Sequence, residues 1–245
     1  MTMADDQPPV RRWLVTGASR GIGRAIAERA LAAGDRVCLL ARSESIVAEA
    51  ASLGGQAMGM AADVADRDVV ERCCAEMARA WGGIDVVVNC AGLHRGGRID
   101  ALSPDDWDAS LATNLSGPLN VIRSALPHMG SGGAIVNVGA VVGFRGFPGD
   151  SCYGASKAGL AGLTNVLAVE LGSRNIRVNL VVPGFVMTEM TSGVSQKARD
   201  AIVAKVPLRR IGEAQEIADV CFWVAGSTYM TGSTIFTDGG LMCSL

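Results

Sequence analysis

Short β-branched runs alternate with helix-length stretches along nearly the whole chain. Residues 13–16, 36–41, 56–61, 86–89, 134–138, 177–182 and 233–237 read as strands. Most are apolar throughout rather than alternating, the pattern of strands covered on both faces. Between them, residues 22–33, 66–80, 116–129, 155–171 and 214–225 carry apolar side chains three and four apart, which predicts amphipathic helices. This rhythm implies right-handed βαβ units. The expected fold is therefore α/β: one domain with a doubly wound, seven-stranded parallel sheet (a Rossmann fold) and helices on both faces. No linker or repeat divides residues 12–245, and residues 1–11, with Asp5, Asp6, Pro8 and Pro9, read as a mobile N-terminal arm. Residues 186–212 break the rhythm with Thr188, Thr191, Ser192, Gly193 and Ser195. A polar excursion leaving the carboxyl end of a strand reads as a substrate lid, or as an ordinary surface insertion.

Composition narrows the function classes. At 49% apolar and 19% charged residues the 245-residue chain is a globular, well-cored sequence, not a disordered one. A net charge of −2 and only 4% aromatic residues argue against a nucleic-acid partner. The longest uncharged stretches, 124–144 and 220–237, are broken by Gly and polar residues, so no transmembrane helix is expected. Seven cysteines without a C-x-x-C pair, and two histidines, give no metal-ligand spacing; they read as reduced thiols of a cytoplasmic protein.

After the first strand comes Thr16-Gly17-Ala18-Ser19-Arg20-Gly21-Ile22-Gly23, opening a helix. Glycines there allow a tight turn and close backbone approach to a pyrophosphate, with the helix N-terminus supplying N–H groups. A structural turn without ligand is the plainer alternative. An NAD site wants a carboxylate at the tip of the second strand. Here the tip reads Leu40-Ala41-Arg42, and Asp35 lies at the other end. Arg42 and Arg20 suit a 2′-phosphate instead, which points to NADP(H).

The chain has two tyrosines and three lysines, yet Tyr153 and Lys157 fall four apart at the start of a predicted helix. One helical face brings both heads to one site. A nearby ammonium and an oxidised nicotinamide would draw the phenol towards neutral pH as an acid–base group.

With these residues the chain resembles the short-chain dehydrogenase/reductase family, closest to its 3-oxoacyl-(acyl-carrier-protein) reductase-like members. The resemblance runs from about Arg12 to Gly240. It covers the glycine loop, Asp63-Val64, Asn89-Cys90-Ala91-Gly92, Asn114-Leu115-Ser116-Gly117, Tyr153–Lys157, Pro183-Gly184-Phe185-Val186-Met187-Thr188 and Asp238-Gly239-Gly240. It implies NADPH-dependent reduction of a ketone, a 3-oxoacyl thioester or similar carbonyl, with Tyr153 as general acid. Lys157 would hold the nicotinamide ribose, Asn114 a water leading to Lys157, and Thr188 the carboxamide. Gly17, Ser19, Arg20, Gly21, Ile22, Gly23, Arg42, Asp63, Val64, Asn89, Ala91, Gly92, Pro183, Gly184, Val186 and Thr188 would line the cofactor site. Read plainly, Asn114 breaks a helix and Thr188 caps one.

One position departs from the family pattern. Ala140 stands where the family has a serine, 13 residues before the tyrosine. Losing one such donor costs about 10²–10³ in kcat. Three readings compete: a serine replaced to trap a complex, a natural variant in which another donor such as Ser151 substitutes, or a catalytically silent NADP-binding subunit or scaffold. Ala140, Val142, His94, Phe185, Met187 and Met190 would line an apolar substrate cleft. Arg174 suits a carrier-protein thioester, but Ser131 stands where a second basic residue would be expected, so small ketones and CoA thioesters stay open. The family is usually tetrameric, which implies a homotetramer, or a dimer, through helices 116–129 and 155–171.

Overall fold

In the central strands the apolar runs are covered on both sides, and successive residues enter different cores. The computed structural model describes residues 9–244. In chain order the strands are β1 (Arg12–Thr16), β2 (Arg36–Ala41), β3 (Ala57–Ala61), β4 (Ile84–Asn89), β5 (Met129–Val138), β6 (Arg177–Pro183), β7 (Val186–Met187), β8 (Gly212–Glu213) and β9 (Thr234–Thr237). The helices are α1 (Gly21–Ala32), α2 (Ser45–Ser52), α3 (Arg67–Trp81), α4 (Pro104–Leu111), α5 (Gly117–Ala125), α6 (Ser151–Gly172), α7 (Gln196–Val203) and α8 (Ala214–Gly226). Seven strands form one parallel sheet in the order β3-β2-β1-β4-β5-β6-β9. The order reverses at β1/β4, the switch point at which such folds bind ligands.

Trp13, Val15, Val37, Leu39, Val86 and Val88 pack under α1 and α8. Their neighbours Leu14, Cys38, Leu40 and Val87 enter the opposite core under α3, α5 and α6. That division is why these strands show no polar face.

All seven expected strands form. The helix expected over 116–129 is shorter: α5 ends at Ala125, a 3₁₀ turn spans Leu126–His128, and β5 begins at Met129. Pro127 lacks the N–H that would continue the helix. The sequence pattern missed α2, α4 and α7, each eight residues long. Residues 1–8 of the expected arm lie outside the described residues. Its last member, Arg11, is anchored: its guanidinium pairs with Asp35 at 3.1 Å and lies over Trp13 and Phe222. Among the described residues no helix is long and apolar enough to cross a membrane, and no cluster of His, Cys, Asp or Glu is placed to hold a metal ion.

Candidate active site

The carboxyl ends of the strands open into one long cleft. At its centre β1 turns into α1 through Gly17 and Gly21, with φ of 66° and 57°, a left-handed conformation that glycine adopts at no steric cost. A Cβ at Gly17 would lie 2.7 Å from Ala91 Cα, so only glycine lets this loop rest on the one after β4. Thr16 Oγ1 ties the two loops together, accepting from Cys90 N at 3.1 Å and Ala91 N at 3.0 Å.

The N-terminus of α1 has no side-chain cap and no acid in its first turn. By contrast, Asp66 caps α3 by accepting from Asp68 N and Val69 N. Helix α1 thus keeps its N–H groups and dipole for an anion. Arg20 and Arg42 line the same end of the cleft, both exposed. No carboxylate stands at the tip of β2, since Asp35 at its far end is held by Arg11 and by Trp13 Nε1, 2.8 Å away. Beyond β3, Asp63 and Val64 form the wall, with Asn120 Nδ2 donating to Val64 O at 3.1 Å.

Tyr153 and Lys157 stand one turn apart on α6 and both face the cleft. Lys157 is buried, its Nζ donating to Val138 O at 2.9 Å and lying 5.8 Å from the Tyr153 ring centre. Burial disfavours the ammonium and lowers its pKa to about 8. The Tyr153 phenol moves the other way. Burial, then the negative charge of Asp150, push it above its ordinary value. The lowering expected from the neighbouring ammonium is therefore absent in the protein alone, and Tyr153 is held as the protonated phenol, the form that gives a proton.

Asn114 lies in a π-helical turn, Ala112–Ser116, between α4 and α5. It is fully buried: Oδ1 accepts from Leu93 N, and Nδ2 donates to Leu93 O and Ser156 Oγ, all within 3.0 Å. Such turns are frequent at functional sites. Ser156 Oγ in turn donates to Tyr153 O at 2.7 Å, so Asn114 braces the start of α6 against the loop after β4.

A family model described as enoyl-(acyl carrier protein) reductase matches residues 17–242. The chain is 40% identical over 239 residues to the 3-oxoacyl-(acyl-carrier-protein) reductase of Thermotoga maritima, covering 94% of this chain and 96% of that protein. The carbonyl reductase family member 4 of Danio rerio is 41% identical, with 94% and 98% covered. Among solved structures, a dehydrogenase/reductase from Sinorhizobium meliloti superposes with a TM-score of 0.90 at 36% identity, covering 96% of each chain. A blue fluorescent protein from a metagenomic library, solved in complex with NADPH, gives 0.89 at 34% identity, covering 94% of this chain and 97% of that one. The chain belongs to the short-chain dehydrogenase/reductase family.

This short-chain dehydrogenase/reductase gathers most of its predicted site residues in the cleft. Gly17, Ser19, Arg20, Gly21, Ile22, Gly23, Arg42, Asp63, Val64, Ala91, Gly92, Ala140, Tyr153, Lys157, Pro183, Gly184, Val186 and Thr188 all line it. Asn89 does not. It is buried in the sheet, its Nδ2 donating to Asn137 Oδ1 at 2.8 Å, and Asn137 Nδ2 to Thr164 Oγ1 at 2.9 Å. The last residue of a strand is at the right height for the cofactor, but this side chain faces α6. Asn114, buried behind the wall, and Val142, Phe185, Met187, Ser151 and His94 also fall outside the lining, while Met190 is part of it. His94 lies beside the cleft against the edge of Tyr153, ring centres 4.9 Å apart. Sequence reasoning did not name Leu40, Ala41, Ala62, Cys90, Leu93, Thr113, Val138 and Gly139 as lining residues, and reached Glu189 and Thr191 only as part of the lid segment. Leu40, Ala41, Ala62, Cys90, Val138 and Gly139 are strand tips or the residues just after them, which the rule that ligands sit at carboxyl ends of strands would have found.

Proposed function

We propose that the chain is an NADPH-dependent ketoreductase that reduces a 3-oxoacyl thioester or similar carbonyl to an alcohol, with Tyr153 as general acid. The single observation that carries this is one cleft with a phosphate-ready loop at one end and Tyr153 with Lys157 at the other. The relatives support it: one is a 3-oxoacyl-(acyl-carrier-protein) reductase, and one neighbour is solved with NADPH. The uncapped start of α1 would take the pyrophosphate, Arg20 and Arg42 the 2′-phosphate, and Asp63 and Val64 the adenine. Lys157 and Thr188 would hold the nicotinamide ribose and carboxamide. When bound, the cofactor supplies a hydride to the carbonyl carbon. Tyr153, kept protonated, gives its proton to the oxygen as charge builds there, and Lys157 would return a proton through a water beside Asn114.

Ala140 favours a second reading, a catalytically silent NADP-binding subunit, because the usual hydroxyl donor is missing. Tyr153→Phe separates the two. Carbonyl reduction should vanish while NADPH binding stays close to intact. Activity unchanged in Tyr153→Phe would remove the assigned acid.

Residues 186–212 make a candidate lid. The segment leaves through β7 and returns through β8, which pair with each other (Val186 opposite Gly212), and it carries α7 between them. Val166 and Val169 are 55% and 83% exposed on α6, and Leu119 is 38% exposed on α5, which supports a homotetramer, or a dimer, through these helices. Arg174 is spent on Leu126 O and Met129 O, so a carrier protein would gain little from it. The free thiols fit a cytoplasmic setting.

A further inference from the structure

With Ala140 in place of a hydroxyl, the carbonyl site has one identified donor, Tyr153, and the polar groups around it are mostly spent. Both ends of the Asn114 amide are engaged, and Lys157 Nζ donates to Val138 O. Ser156 Oγ donates to Tyr153 O. Ser151 is exposed at the first position of α6 and lies outside the cleft.

His94 is different. It comes from the loop after β4, and its ring meets the Tyr153 ring edge-on at an interplanar angle of 79°. Its Nε2 is 2.8 Å from Asp150 Oδ1. Its Nδ1 forms no hydrogen bond among the described residues. Asp150 occupies the N-cap of α6, where an aspartate ordinarily accepts from the helix's own N–H groups. Here α6 has no side-chain cap, because the carboxylate is turned to the imidazole. Two neighbouring hydrogen bonds tie the same segments together: Gly97 N donates to Gly149 O at 2.8 Å, and the Cys152 thiol to Arg95 O at 3.2 Å.

The hydrogen bond to Asp150 raises the His94 pKa against the opposing effect of burial, and the Asp150 charge adds to the rise; this favours the imidazolium, the form in which both nitrogens are donors. The charged and titratable neighbours leave that arrangement standing. Arg95 is turned to Asp106, Lys157 stands 5.8 Å from the Tyr153 ring centre, and Tyr153 is a neutral phenol.

We propose that His94, held by Asp150, is a second hydrogen-bond donor to the substrate oxygen, taking the part of the hydroxyl that Ala140 lacks. This rests on the reductase reading above. In the step, the carbonyl carbon accepts the hydride and the C=O π pair moves onto oxygen. Tyr153 gives its O–H proton to that oxygen, completing the alcohol and leaving a phenolate. The reduced nicotinamide is oxidised, and His94 keeps its own proton throughout.

The test is His94→Phe, which keeps an aromatic ring against Tyr153 but has no donor, in the natural and the Ala140→Ser backgrounds. Reduction of a 3-oxoacyl thioester by NADPH is followed, with circular dichroism and NADPH affinity confirming the fold of each variant. In the natural background kcat should fall by about 10²–10³, the usual loss for one such donor, with KM nearly unchanged. In the Ala140→Ser background, where a hydroxyl is restored, the same replacement should cost less than about tenfold, because the two donors serve one oxygen. NMR gives a readout independent of turnover. The chain has only His94 and His128, and Asp150→Asn should lower the His94 pKa. The natural enzyme should lose rate as pH rises through that pKa, and the His94→Phe/Ala140→Ser double variant should lack that limb. Natural kcat in His94→Phe, equal losses in both backgrounds, or turnover seen only with Ala140→Ser would each overturn the role of His94 while leaving the reductase reading in place. No turnover in any background, with NADPH still bound, would overturn both.

Discussion

Replacing Lys157 with methionine isolates what a buried ammonium costs this fold. Lys157 is 4% exposed, and its pKa falls from 10.5 to about 8. Below pH 8 both folded and unfolded chains carry the charge, and the folded one bears the full penalty, about 3 kcal/mol. Between pH 8 and 10.5 the unfolded chain binds the extra proton, so stability rises with pH by about 1.4 kcal/mol per unit. Above 10.5 the charge contributes nothing. Lys157→Met removes this dependence. It also leaves Val138 O without the donor now 2.9 Å away, a loss of about 1–2 kcal/mol that does not vary with pH. Other titrating groups are common to both proteins and cancel in the difference. Urea unfolding at matched protein concentration, at about pH 7 and about pH 9.5, reads that difference directly. Relative to wild type, the variant should lose about 2 kcal/mol of its standing between the two conditions. A difference that stays constant with pH would refute the buried-charge account of Lys157.

Arg42→Asp should narrow or reverse a preference for NADPH over NADH, since it removes a guanidinium from the β2 tip and adds a ribose acceptor; equal affinities in the starting protein, by fluorescence titration, would contradict this. Asp66→Ala removes the cap that accepts from two N–H groups of α3 and should cost about 1 kcal/mol by denaturant midpoint; no change would mean that water serves the helix end as well. Thiol labelling near neutral pH should modify Cys243 first. It is the exposed cysteine among the described residues, while Cys38 and Cys221 are buried with raised pKa values and Cys90 is pushed up to about 11. Faster labelling of Cys90, read by peptide mass, would contradict the burial account.

How much of this was legible in the sequence depends on what each element is made of. The sheet was, because strands buried on both faces must be apolar throughout, and Val37 to Leu40 or Val86 to Val88 leave no other reading. The glycine loop and the Tyr153–Lys157 pair were legible because their chemistry depends on spacing along one short segment. Helices α2, α4 and α7 were not, since eight residues give barely two turns of periodicity. Asn89 shows a different limit. Sequence places a residue at a strand tip, but which face its side chain takes is settled by the partner it finds, here Asn137, itself bonded to Thr164. The His94–Asp150 pair brings together residues 56 apart in the chain, a contact that no local pattern announces.

The most direct test of the account is a single-turnover measurement on the natural chain and Tyr153→Phe. Each protein is loaded with NADPH and mixed with a panel of 3-oxoacyl thioesters and small ketones, and loss of the reduced-nicotinamide absorbance is followed. The account predicts loss with at least one carbonyl in the natural chain and none in Tyr153→Phe, although both bind NADPH. Absorbance that holds steady with every carbonyl, or that falls equally in Tyr153→Phe, would contradict it.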